Sequence, residues 1–334
     1  MGNKTISDNT LQKIARRLTG QPEARLVPVR GGGNSRLMRV ETRTGRFALK
    51  HHLRQAHDPR DRQKTETRAL TFLHAHGVTE VPQVIALDRE HGCTLLEWID
   101  GEPVSGATTA EVDMALELIR KLYALRESPK ARRLPLASAA CLSPVMLLDQ
   151  VGTRMDRLFP VLPKHPELAA FVYKELLPFA DRSLGAMVRH SPVEELPPAL
   201  RLPSPSDFGF HNALRRPDGR IIFLDFEYFG WDDPVKLTCD FLMHPGMDLD
   251  ATLREYFANG MREICREDAA FEERLAGYLP LLGVCWCMIM LNEFLREGWK
   301  RRAFAGAREM RSDARTRQLA KARALLTWLR NRKG

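Results

Sequence analysis

Glu66 falls on the apolar side of a helix, and that placement constrains the fold more than any bulk property of the chain. From Asp61 to His76 the spacing predicts a helix stopped by Gly77, with Ala69, Leu70 and Leu73 as its apolar stripe. Glu66 lies three, four and seven residues before them and so shares their face. A carboxylate on the buried side of a helix needs a cation, because an unpaired buried charge is costly. The natural partner is Lys50, at the end of the alternating stretch Arg46-Phe47-Ala48-Leu49-Lys50. A strand carrying Lys50 should therefore pack beside the helix carrying Glu66.

Upstream, Arg30-Gly31-Gly32-Gly33-Asn34-Ser35-Arg36 separates two short apolar stretches, Leu26–Val29 and Leu37–Val40. Glycines between paired strands let backbone amides approach an anion such as a phosphate, which makes Gly31, Gly32, Gly33, Asn34 and Ser35 candidate binding residues. A plain glycine hairpin fits the same residues. Downstream come strands at Val84–Leu87 and Cys93–Leu96, then Glu97-Trp98-Ile99-Asp100-Gly101.

A second signal lies far along the chain. Ser206-Asp207-Phe208-Gly209-Phe210-His211-Asn212 leads into a hairpin: Ala213–Arg216, the turn Pro217-Asp218-Gly219, and Ile221–Leu224. Asp225-Phe226-Glu227 follows. An Asp, an Asn five positions on, and a second Asp at a strand end suit phosphotransfer. The first Asp orients or deprotonates an attacking hydroxyl, while the Asn and second Asp supply hard oxygen ligands to Mg²⁺. Asp207-Phe208-Gly209 also spells the metal-binding tripeptide of protein kinases, which would demand a catalytic Asp-x-x-x-x-Asn upstream. No Asn occurs between Asn34 and Asn212, so Asp207 takes the base position, with Asn212 and Asp225 as metal ligands. Lys50, held by Glu66, is expected to point at the phosphates.

The order of these parts resembles the phosphotransferase family of the aminoglycoside, choline, homoserine and fructosamine kinases, relatives of protein kinases. The resemblance runs from about Arg25 to Pro245 and is strongest from Asp207 to Asp240, including Phe226–Pro234 and Cys239-Asp240-Phe241. It implies an α+β, protein-kinase-like two-lobed fold. A small β-rich N-lobe with one key helix (1–97) would bind nucleotide, and a larger, mainly helical C-lobe (98–334) would carry catalysis and acceptor binding. It implies ATP and Mg²⁺ as cofactors, backbone groups at Leu96, Glu97 and Trp98 on adenine, Glu227 assisting at a second metal, and Asp240 bracing the catalytic loop. One departure stands out. The family has His-Gly before the catalytic Asp, and here Pro205-Ser206 fill those positions. His211 reads as a loop histidine, with replacement of the missing His contact as the alternative.

Composition narrows the rest. At 334 residues and 44% hydrophobic the chain is two ordinary domains or one two-lobed unit with an ample core. No P-loop motif is present, and Met1–Ile6 lacks the Ser or Thr of a myristoylation signal. No signal peptide is visible, and the apolar run Leu279–Leu291 reads as a buried helix too short to span a bilayer. Cys285 and Cys287 within it face different sides of a helix, and six scattered cysteines fit a reducing cytoplasm. Of the +9 formal charge, residues 300–334 hold 12 Lys/Arg against 2 acidic residues, leaving the preceding chain near neutral. Arg311–Arg330 has helical periodicity, with Leu319, Ala322, Leu326 and Leu329 on one side and Arg315, Arg323 and Arg330 off it. A packed terminal helix with a solvated basic face is the primary reading; an anion- or membrane-attracting site and a nucleic-acid contact are alternatives.

Thr108-x-x-Glu111 is a capping box opening a helix through Leu125, with Val112, Ala115, Leu116, Ile119 and Leu122 inward, and further helices are expected near 146–159 and 167–189. Acceptor contacts are sought among His244, Trp286, Asn292, Glu293 and Trp299. Basic residues outnumber acidic ones beyond His244, which favours a neutral or anionic small-molecule acceptor, such as a sugar or sugar acid, over a polycationic aminoglycoside. An idle kinase-like binding module and an adaptor using the basic tail remain as alternative functions.

Overall fold

The computed structural model describes residues 6–29, 35–52, 54, 60–190, 194–304 and 310–332. Gly31, Gly32, Gly33 and Asn34 lie outside the described residues. The chain forms two compact units, neither continuous in sequence: 1–104 with 212–229 and 300–308, and 105–211 with 230–299 and 309–334. The lobes expected at 1–97 and 98–334 are, by contrast, single stretches. The difference arises because the Asp225 hairpin returns to the sheet-bearing unit.

The first unit opens with α1 (Asp8–Thr19), absent from the sequence reading although its signals are present. Ser7 caps the first turn by accepting from Thr10 N at 3.2 Å, and Gly20 ends the helix at φ +67°. β1 (Arg25–Pro28), β2 (Ser35–Glu41), β3 (Arg46–His52), β4 (Val84–Asp88) and β5 (Cys93–Glu97) form an antiparallel sheet in the order β1-β2-β3-β5-β4. Strand alternation sends Met38, Val40, Leu49, Cys93 and Leu95 to one face, where Leu11, Ile14 and Ala15 of α1 complete a core. β3 does not stop at Lys50. Ser35 and Arg36 of β2 pair with His52 and His51 and carry the strand two residues further.

Between β3 and β4, α2 (Arg62–His74) is capped by Asp61, whose side chain accepts from Lys64 N at 3.0 Å. It buries Glu66, Ala69, Leu70 and Leu73 as the periodicity requires. The two-residue β6 (Glu102–Pro103) joins a small sheet with the hairpin strands β8 (Ala213–Arg215) and β9 (Ile221–Phe223). Phe223 N donates to Glu80 O at 2.8 Å, and Phe229 packs against Phe72 of α2, so the hairpin is fixed at both ends.

The second unit is mostly helical. α3 (Thr109–Ala124) has the expected capping box, and Val112, Ala115, Leu116, Ile119 and Leu122 are buried. α4 (Pro144–Leu158), α5 (Pro166–Phe171) and α6 (Leu177–His190) follow, α5 and α6 joined by a π turn. β7 (Leu202–Ser204) pairs with β10 (Gly230–Asp232), and α7 (Pro234–Met243), α8 (Ala251–Ile264), α9 (Phe271–Met290), the start of α10 (Arg296–Phe304) and α11 (Arg311–Asn331) complete this unit.

α9 is the central helix of this unit, with α4, α6, α7 and α11 around it. Its apolar stretch is longer than the run read from sequence. By length and composition alone 271–294 would suffice to cross a membrane, and 67% of its most apolar window is buried against the rest of the protein. Gly283 lets α11 approach closely, since a Cβ there would collide with Leu329. α11 buries Leu319, Ala322, Leu326 and Leu329. Arg323 and Arg330 on its basic side both pair with Glu175. The basic tail is thus a packed helix, as the primary reading expected. All six cysteines are buried and free.

Candidate active site

In the first unit, Lys50 is the hub. Its side chain is 8% exposed, and Nζ lies 2.8 Å from Glu66 Oε1, 2.8 Å from Asp225 Oδ1 and 4.0 Å from Glu227 Oε2. The pairing of Lys50 with Glu66 is as the sequence required, and Asp225 is a second partner that no local pattern revealed. Burial would lower the Lys50 pKa, but the Asp225, Glu66 and Glu227 carboxylates outweigh it and hold the amine above its ordinary range.

The acidic residues carry the opposite imbalance. Burial raises Glu66, with Lys50 opposing and Asp225 adding to the rise. Burial and the Asp225 charge push Glu227 up to about 7 against the pull of Lys50 and Arg62. Arg62 Nε approaches Glu227 Oε1 at 3.3 Å. His52, kept neutral by burial and by Lys50, sits 3.4 Å from Glu66 Oε2 and contacts Thr94 Oγ1 at 3.2 Å. Among the described residues, Glu66, Asp225 and Glu227 thus gather around Lys50 and Arg62.

Two backbone features present these acids. Phe226 N donates to Glu66 Oε1 at 3.2 Å, tying the strand end to α2. Asp225 has φ +65°, a left-handed conformation that Asp tolerates better than most residues and that often marks a functional position. Leu224 N donates to Asn212 O at 2.7 Å, so Asn212 and Asp225 flank one end of the hairpin. Asn212, Asp225 and Glu227 all offer oxygen donors from this unit, the chemistry that Mg²⁺ takes, and the carboxylates gathered around Lys50 suit a divalent ion.

On β5, Leu96 pairs with Ala48 on one side and Val84 on the other, while Glu97 N donates to Gln83 O at 2.9 Å. The Glu97 N–H is therefore taken by the protein's own backbone. Ser35 is buried at the start of β2. Beside Trp98 lies a hollow of about 590 Å³, lined in part by Arg39, Arg46, Asp100 and Arg215. The Arg39 guanidinium sits 5.6 Å above the Trp98 ring, and Arg46 pairs with Asp100 at 2.8 Å.

In the second unit, Asp207 stands in a loop that solves the missing His-Gly locally. Ser206 takes φ +68°, the left-handed conformation for which glycine is suited. Ser204 Oγ accepts from Ser206 N at 3.0 Å, Ser206 Oγ donates to Ser138 O at 3.4 Å, and Asp207 N donates to Pro205 O at 2.9 Å. Hydroxyl bonds thus hold the loop in addition to any stiffening by Pro203 and Pro205. Gly209 packs so closely on Met247 that a Cβ there would collide with its sulfur.

His211 is not an ordinary loop histidine. Its Nε2 lies 2.9 Å from Asp207 Oδ1, its ring stacks on His244 with centroids 3.5 Å apart, and His244 Nε2 is 3.6 Å from the same oxygen. Trp286 meets His244 edge-on at 4.7 Å and donates its indole N–H to Asp240 Oδ1 at 2.7 Å. Among the described residues Asp240 is hydrogen-bonded by Trp286 and Lys236, and Trp286 in turn meets His244 beside Asp207.

α7, which ends at His244, is anchored by buried charges at its start. Asp233 caps it by accepting from Val235 N at 2.8 Å and binds Arg274, which also grips Asp268 at 2.7 Å. Asp232 accepts from Cys141 N at 2.8 Å and lies 3.4 Å from Lys236. Of the proposed acceptor contacts, His244 and Trp286 join the Asp207 cluster. The turn after α9 that carries Asn292 and Glu293 offers the Glu293, Phe294 and Leu295 carbonyls to Arg311 of α11.

The family model of the phosphotransferase enzyme family matches residues 25–273. The chain belongs to the phosphotransferase enzyme family. No curated protein matches the sequence. Solved structures similar to this phosphotransferase-family chain include a spectinomycin phosphotransferase in complex with ADP and spectinomycin, with TM-score 0.62 and 13% identity over 96% of this chain and 99% of that one. A gentamicin complex of another aminoglycoside phosphotransferase gives 0.61 and 16% over 98% and 97%. Choline kinase from Cryptosporidium parvum Iowa II gives 0.59 and 14% over 97% and 100%. These likenesses establish the kinase-like, two-lobed α+β fold.

Proposed function

We propose that the protein is an ATP- and Mg²⁺-dependent phosphotransferase that phosphorylates a hydroxyl of a small neutral or anionic molecule. The observation that carries this reading is the Lys50 hub, which joins the helix glutamate Glu66 to Asp225 at 2.8 Å each. A buried lysine held between two carboxylates is a preformed clamp for phosphate oxygens, and its ammonium stays charged across the physiological range. Asn212, Asp225 and Glu227 would hold Mg²⁺, which supplies charge neutralisation on the phosphates when bound. Asp207 would accept the hydrogen bond of the acceptor hydroxyl and take its proton as the phosphoryl group departs from ADP.

The charge around Asp207 favours an acceptor without multiple amines. The imidazoles of His211 and His244 lie against Asp207, and Lys321 donates to the Pro245 carbonyl at 3.1 Å, beside His244. A cytoplasmic setting, where ATP is abundant, fits this reading. The test is ADP release with sugars, sugar acids, amino alcohols and aminoglycosides, each against an acceptor-free blank. Turnover with sugars or sugar acids supports the proposal, and Asp207→Asn should reduce it by at least about 10²-fold while leaving nucleotide binding nearly intact. Turnover confined to aminoglycosides refutes the acceptor argument. ADP release with none of them supports an idle binding module.

A further inference from the structure

We infer that His211 and His244 are positioning residues for Asp207: a stacked imidazole pair that fixes the carboxylate through its Oδ1 oxygen. The inference rests on the phosphotransferase reading and adds to the Ser206 hydroxyl bonds a second device that holds this loop. Both ring Nε2 atoms converge on one oxygen, at 2.9 Å from His211 and 3.6 Å from His244.

The tautomer of His244 follows from its other nitrogen. Gly246 N donates to His244 Nδ1 at 3.1 Å, so Nδ1 is the acceptor and Nε2 carries the hydrogen that faces Asp207. His211 must likewise present an N–H to a carboxylate oxygen at 2.9 Å, and among the described residues its Nδ1 has no hydrogen-bond partner. The rings stack face to face at 3.5 Å, and burial together with His211 holds His244 down at about 3, so the stack does not bring two imidazolium charges together.

The same three side chains, Asp207, His211 and His244, group as metal ligands do. The geometry argues against that use. His244 points a hydrogen, not a lone pair, at the shared oxygen, because Gly246 N occupies its Nδ1 lone pair. The stack is instead braced from behind. Trp286 lies edge-on to His244 and is itself fixed by Asp240, which Lys236 neutralises at 2.7 Å. Asp240, Trp286, His244, His211 and Asp207 thus form one continuous line of contacts, with its far end anchored on α7.

A base that must meet a hydroxyl in line with a phosphoryl group gains from a fixed carboxylate, and small misplacements there cost about 10²-fold in rate. The pair of variants His211→Phe and His211→Gln separates positioning from packing. Phe keeps a flat ring on His244 and loses the N–H, whereas Gln loses the ring and returns an amide N–H near the Nε2 position. With ATP, Mg²⁺ and whichever acceptor proves active, His211→Phe should lower kcat by about 10- to 100-fold with KM for ATP changed less than about twofold. His211→Gln should recover at least about a third of the wild-type kcat if the donor is what matters.

A phenylalanine variant as active as wild type, or a glutamine variant no better than phenylalanine, overturns the inference. ¹⁵N-histidine NMR gives a readout independent of turnover. His244 should appear as the Nε2–H tautomer, and Asp207→Asn should shift the His211 ring nitrogens; the opposite tautomer or unmoved signals also overturn it. Wild-type protein that releases no ADP with any acceptor fails the phosphotransferase reading. Active wild type with an unimpaired His211→Phe fails this one.

Discussion

Replacing Lys50 with Met removes a cation from a buried acidic cluster, and the consequences can be worked from the geometry. Glu66 and Glu227 side chains are 2% and 0% exposed, and after the change Arg62 is the remaining fixed cation near them. Breaking a buried ion pair from one side costs about 3–5 kcal/mol while the orphaned acids stay ionised. For a chain of this size that is a loss of about 6–10 °C in Tm, at roughly 2 °C per kcal/mol.

The acids can escape part of this cost by taking up protons, so the loss must depend on pH. Glu66 and Glu227 are already raised above 4.5, Glu227 to about 7, and Lys50 is a charge that lowers both. Without Lys50 both rise further. The folded state then binds more protons than the unfolded state from about pH 4.5 upward, so stability falls as pH rises through that window. Lys50 itself, with its pKa raised, stays charged throughout and contributes its stabilisation until the pH climbs past the ordinary lysine range.

Lys50→Met should therefore lie close to wild type at pH 5 and show its full deficit at pH 8, measured by thermal unfolding in both buffers. Adding Glu66→Gln should recover most of the deficit at pH 8, because it removes the charge that lost its partner. Equal losses at the two pH values, or no recovery in the double variant, would refute the electrostatic account and leave only lost packing.

Asp225→Ala should abolish the Mg²⁺-dependent part of the thermal shift that ATP produces, which differential scanning fluorimetry with and without EDTA reads directly; an unchanged shift would remove Asp225 from the metal site. Ser206→Gly should be neutral to stabilising by about 1 kcal/mol, because it relieves the left-handed backbone at φ +68°, whereas Ser206→Val should destabilise, and urea unfolding separates the two. On α11, Leu326→Ala should cost about 2–5 kcal/mol and Arg323→Ala under about 1 kcal/mol. Equilibrium unfolding showing the arginine change to be the worse would argue that the basic face, not the packing, is what α11 supplies.

What the sequence determined by itself was the set of local decisions. Glu66 had to be buried with a cation because its helix has one apolar stripe, and Lys50 was the alternating strand's candidate. The hairpin was legible because Pro217-Asp218-Gly219 can only turn, and the absence of any Asn between Asn34 and Asn212 fixed which Asp precedes the Asn at five residues. The Thr108–Glu111 capping box marked α3, and the stripe of α11 foretold its burial.

Tertiary structure decided what lies across long separations in sequence. Asp225 meets Lys50 from 175 residues away, and nothing in either local pattern encodes that approach. His244 joins Asp207 because α7 is aimed by buried pairs at its start, Asp233 with Arg274 and Asp232 with Lys236. The Asp-Asp-Pro run read as part of a motif is therefore the anchor of a helix. Ser206 could take a glycine's conformation because Ser204 and Ser138 bond to it, a compensation visible only in three dimensions. Periodicity and spacing report which residues must be buried or turned, since those are properties of neighbours along the chain. Which distant charges and rings meet depends on how whole elements pack, and that information is distributed over every residue in their interfaces.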